Sequence, residues 1–139
     1  MPRPSFTVDQ LRDLIAVDRH DLEDAAEKQP VLYQDVVEKY GIAYRRSLKA
    51  SVDYDRMKGL LLPLVRREME QNGEKVTDAT AAAALQRHPD YVAAKMRRAE
   101  TEADAEELKN LMFAYVQRGK SIDQLQSQLN GGFFQYRNR

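Results

Sequence analysis

The sequence predicts an all-α fold, a long helical hairpin with short flanking helices. Apolar residues recur at helical spacing, and no segment alternates as a strand would. Gly and Pro stand at segment edges. Two periodic stretches are far longer than an average helix, and the chain of 139 residues is short enough to be one domain with a small appendage.

The first helix opens at Thr7, a candidate N-cap with Gln10 three residues on, while Phe6 and Leu11 have the spacing of a hydrophobic staple. A second short helix is expected from Asp18, carrying Leu22, Ala25 and Ala26. Residues 1–29 form an acidic helical segment. Pro30 suits a first helical turn and opens the long basic helix over 30–73, which Asn72-Gly73 stops. Unbroken, it would span roughly 60 Å at about 1.5 Å per residue. Pro63 is the expected bend, because it removes a donor and crowds the carbonyl of Gly59.

Residues 74–130 form a C-terminal helical region. Thr77 caps a short segment rich in small residues, Ala79 and Ala81 to Ala84. Pro89 starts the second long helix, expected to run to Arg118 and stop at Gly119. Ser121 with Gln124 caps a last short helix carrying Ile122, Leu125 and Leu129. Gly131-Gly132 then releases an aromatic and basic tail over 131–139. Aromatic rings interleaved with arginine suit unpaired bases, and they suit a protein partner equally well.

Composition narrows the function. The chain has no Cys, which excludes a disulfide scaffold, a Cys-ligated zinc site and thiol catalysis. No segment reads as a membrane span, and charges run through residues 1–20, so neither membrane nor signal peptide is expected, and a cytoplasmic location is. The only histidines, His20 and His88, lack metal-ligand spacing, and Glu100, Glu102, Asp104, Glu106 and Glu107 scatter around a helix rather than converging. No catalytic residue, metal or cofactor is expected.

The formal net charge is zero but unevenly spread. Residues 1–38 carry a net −5, and residues 40–67 a net +5. Within a Debye length of roughly 8 Å that middle segment acts as a basic surface. Its cations are Arg45, Arg46, Lys49, Arg56, Lys58, Arg66 and Arg67. On an ideal helix with Arg45 at 0°, Lys49, Arg56 and Arg67 all fall within about 40°. Val36, Tyr40, Ala43, Tyr54, Met57, Leu61 and Val65 fall between about 120° and 220°, on the opposite side. A stripe of cations opposite an apolar arc suits either solvent or a phosphate backbone.

The order of segments resembles the phage recombination mediators of the UvsY type over roughly residues 8–129. Val31-Leu32-Tyr33 opens the long basic helix, a connection and an acidic, Ala-rich helix follow, and Arg118-Gly119 precedes Ile122. Leu48-Lys49-Ala50-Ser51-Val52-Asp53-Tyr54 is similar to the family's DNA-binding motif, with Ser51 in place of its second basic residue. The resemblance implies a non-enzymatic, ring-forming protein that binds single-stranded DNA. Such a protein helps a RecA-like recombinase displace single-strand-binding protein. A homo-oligomer, a hexamer to heptamer, is expected, with Leu108, Leu111, Met112, Tyr115, Ile122 and Leu125 as its contact set. The alternative is an oligomeric helical adaptor or a phage regulator that works through protein contacts alone.

Overall fold

The computed structural model describes residues 4–137, and side chains to residue 131. It is all-helical, with no strand among the described residues: α1 (Val8–Asp13), α2 (Leu22–Gln71), α3 (Asp78–Arg87) and α4 (Pro89–Arg137). The chain divides into two compact units. Unit 1 holds residues 1–41 and 106–139, and unit 2 holds residues 42–105.

Unit 1 begins with a capping box. The Gln10 backbone N–H donates to Thr7 Oγ1 at 3.1 Å, and the Thr7 N–H donates back to Gln10 Oε1 at 2.9 Å. Two otherwise orphaned donors are thereby satisfied. The Phe6 N–H donates to Asp35 Oδ2 at 3.0 Å, so the strand of chain entering α1 is tied to α2. Leu11, Leu32, Val36, Leu111 and Tyr115 form the buried core, with Phe6, Val8, Leu14, Ile15, Leu108 and Met112 around it.

Two local boundary signals, a helix start at Pro30 and a helix stop at Gly119, are overridden in this unit. No separate short helix starts at Asp18, and the long helix does not wait for Pro30. α2 starts at Leu22, with Asp21 accepting the Asp24 N–H at 3.2 Å. Pro30 therefore sits inside a helix and leaves the Ala26 carbonyl without its usual donor. The Arg118 guanidinium donates to the adjacent carbonyl of Ala25 at 3.2 Å and to Gln29 Oε1 at 2.6 Å.

Gly119 likewise does not end α4. A Cβ there would lie 3.0 Å from Gln29 Nε2, and that same amide donates to the Tyr115 carbonyl at 2.7 Å. Glycine is needed for close approach, and the helix continues through Ile122, which is buried. The helix also continues through Gly131 to Arg137, so the 130/131 boundary is not a break in secondary structure.

In unit 2, α2 runs through Gly59 and Pro63 without interruption. Gly59 is exposed, with nothing within 4 Å of where a Cβ would lie, so the crowding by Pro63 falls on the solvent side. α2 ends in a Schellman motif: Gly73 has φ 71°, the Gly73 N–H donates to Glu70 O, and the Glu74 N–H donates to Met69 O. Thr77 caps α3. Of the small residues of α3, Ala81 is fully buried against Val65 and Met69 and Ala84 packs beside it, while Ala79, Ala82 and Ala83 stay exposed. A second cluster joins Leu61, Leu85 and Tyr91, flanked by Tyr54, Met57 and Leu62. His88 links α3 to α4, its Nδ1 accepting the Asp90 N–H at 3.2 Å. With Pro89 at the first helical position, this is a structural cap.

A fully buried tyrosine of unit 1 makes its stability sensitive to alkali. Tyr115 is fully buried and its hydroxyl donates to the Leu11 carbonyl at 2.5 Å. Burial, chiefly, pushes its pKa above the usual 10.0. The folded state therefore holds this proton more tightly than the unfolded chain does. The contribution is fully present below pH ~10 and is lost as pH rises through the raised folded value. Tyr115→Phe should cost about 1–2 kcal/mol near neutrality. It should also flatten the alkaline decline, which urea melts on either side of pH ~10 would read.

Candidate nucleic-acid interface

The basic segment of α2 lies in unit 2, and its helical phase decides what it presents. Ala43, Ser47, Ala50, Leu61, Val65 and Met69 are buried. On the wheel with Arg45 at 0° they fall between about 140° and 240°. That arc is anchored by apolar side chains, which turns the stripe at about 0–40° outward. Arg45, Lys49, Arg56 and Arg67 are all exposed, as are Arg46 and Lys58 on other faces of the helix. None of these six makes a side-chain hydrogen bond or ion pair among the described residues. Arg66 differs: its guanidinium is bound to Asp78 at 2.5 Å, which fastens α2 to the start of α3.

The segment Leu48 to Tyr54 divides by face. Lys49 is exposed, and so are Leu48 and Val52, at 50% and 64%. Ala50 is buried. Tyr54 turns inward, its hydroxyl 2.5 Å from that of Tyr91, with the Arg98 guanidinium 4.0 Å above its ring. The hydroxyl contact to Tyr91 is the largest cause raising the Tyr54 pKa. Tyr54 is thus a packing residue, and Lys49 is the member of the motif that is free to meet an anion.

Beside the stripe is a groove of about 510 Å³ that sequence reasoning missed. It is lined by Ala50, Asp53, Arg56, Met57 and Leu60 of α2 and by Asp90, Ala93, Ala94 and Arg97 of α4. Arg97 stands in a short basic run with Lys95 and Arg98, and nothing along the sequence pairs that run with the stripe on α2. Only the pairing of the two helices places Arg97 and Arg56 in the lining of one groove. No protein-family model matches this chain, and neither a curated protein nor a solved structure matches it.

The residues nominated for assembly are placed differently from expectation. Leu111, Tyr115 and Ile122 are buried within the chain, and Leu108 and Met112 pack on the same core. Leu125 is half-buried. α1 and the first turns of α2 cover this apolar surface, which inspection of α4 alone would leave free. Arg118 and Gly119 also serve this packing. Arg118 is 6% exposed, donates to the carbonyls of Leu14 and Ala25, and has its pKa lowered by burial first of all. The nominated tail side chains, Phe133 to Arg139, lie outside the described residues. No group of metal-binding side chains occurs among the described residues, and no helix there is long and apolar enough to cross a membrane.

Proposed function

We propose that this chain is a non-enzymatic recombination mediator. It binds single-stranded DNA through the exposed face of α2 and helps load a RecA-like recombinase onto strands covered by single-strand-binding protein. The observation that carries this reading is the set of six exposed cations on one helix segment that form no ion pair among the described residues. Free guanidinium and ammonium groups retain their full attraction for phosphates, and phosphate contact dominates nucleic-acid affinity. The resemblance of the sequence to UvsY-type mediators, with Lys49 of its motif exposed, supports the same reading. Assembly of copies into a ring would repeat the stripe and multiply weak contacts into a tight one.

A second reading, an oligomeric adaptor or regulator without DNA binding, is favoured by a different observation. Tyr44, Leu48 and Val52 are exposed apolar side chains four residues apart on α2. Fluorescence-anisotropy titrations with single- and double-stranded oligonucleotides, run beside light scattering, separate the two. The mediator reading expects an oligomer that binds single strands with an affinity falling steeply in salt. An oligomer without affinity for either nucleic acid at low salt would establish the adaptor instead, and a monomer at micromolar concentration would end the ring proposal.

A further inference from the structure

We propose that the groove between α2 and α4 in unit 2 is a nucleobase site that prefers cytosine over thymine. The inference rests on the single-strand reading of the neighbouring stripe and adds what that stripe alone cannot supply, a choice among bases. Arg56 belongs to both features: it lies on the stripe and lines the groove. A strand whose phosphates follow Arg45, Lys49 and Arg56 therefore has its sugars and bases beside the groove.

The groove suits a flat, partly polar ring. Three alanines, Ala50, Ala93 and Ala94, leave the gap between the helices open. Its volume of about 510 Å³ is in the range of roughly 300–1,000 Å³ that small-molecule sites occupy. Arg97 brings a second cation, and Asp53 and Asp90 bring two carboxylates. These four charged side chains do not pair with one another among the described residues. Two guanidinium donors and two carboxylate acceptors are thus left for a ligand.

Carboxylates repel phosphate, so Asp53 and Asp90 select for a donor. The exocyclic amine of cytosine is such a donor, and Asp and Glu are natural acceptors for it. Thymine carries a carbonyl oxygen at that position, and its one N–H lies between two carbonyls that would face the carboxylate. Arg97 complements the acceptor edge of cytosine. In a duplex the ring nitrogen and carbonyl that Arg97 would meet are occupied by base pairing and the ring faces are stacked, so the groove also favours single strands.

The test compares oligo-dC with oligo-dT of equal length at mildly alkaline pH, by anisotropy, on the full chain. Wild type should bind dC more tightly, by a factor on the order of ten. Asp53→Asn with Asp90→Asn should erase that preference, mainly by improving dT, because an amide adds donors and removes negative charge. Arg97→Ala should weaken dC more than dT. Helicity by circular dichroism confirms that the variants are folded, and the wild-type comparison needs no variant at all. Equal affinity of wild type for the two strands overturns this inference while leaving the single-strand reading in place. Binding to neither strand overturns both.

Discussion

Reversing Arg45, Lys49 and Arg56 together to glutamate should abolish single-strand binding and leave the chain folded. All three side chains are exposed, and none has an ion-pair partner among the described residues whose loss would disturb packing. The buried arc of α2 in unit 2, from Ala43 to Met69, is on the opposite side of the helix. The change replaces three positive charges by three negative ones on each copy. Each phosphate neutralised contributes about −0.7 to the log–log salt slope on single strands, so residual binding should also depend less on salt. Affinity and slope by anisotropy, with helicity and solution mass measured on the same sample, give the result. A folded variant that binds as wild type does would remove the stripe from the proposed function. A change in solution mass would reassign these cations to a contact between copies.

Replacing Arg118 by leucine should have the largest effect on stability. Its guanidinium donates to three acceptors in unit 1: the carbonyls of Leu14 and Ala25 and the side chain of Gln29. A hydrogen bond from a charged donor contributes about 1.5–3 kcal/mol, and a buried acceptor left unmet carries its own desolvation cost. These terms are not additive across a shared network, so a loss of about 3 kcal/mol is expected. That is a large share of the roughly 5–15 kcal/mol that holds a domain together. Arg118→Lys should recover little, because a single ammonium cannot span the three acceptors as a planar fork does. The urea midpoint reads the loss, and an unchanged midpoint would refute the structural role. Arg118 is buried in unit 1 whereas the stripe is in unit 2, so the fraction that remains folded should bind DNA with wild-type affinity. Loss of binding without loss of stability would make Arg118 functional instead.

These two residues sets were unequally legible. The basic stripe could be read from spacing alone. Helical phase is a local property, set by 3.6 residues per turn, and an apolar arc facing Arg45, Lys49 and Arg56 requires no knowledge of what covers it. The capping signals at Thr7 and Thr77 are local for the same reason, since each side chain reaches a backbone N–H three residues away. The helical class follows from the same periodicity.

What only the tertiary structure decided depends on partners distant in the chain. Pro30 and Gly119 are valid local signals for a helix start and a helix stop, yet both sit inside helices. Gln29 is more than eighty residues from both Tyr115 and Arg118 along the sequence but shares hydrogen bonds with each, and their packing outweighs propensities worth about 1 kcal/mol for glycine and 3 for proline. Leu111, Tyr115 and Ile122 were recognisable as an apolar face, but not as one covered by the same chain. The groove at Arg56 and Arg97 is likewise invisible along the sequence, because its two walls come from helices that meet only on folding. Periodicity determines which face of a helix avoids water. Which surface satisfies that face is settled by the packing of segments that sequence order keeps apart.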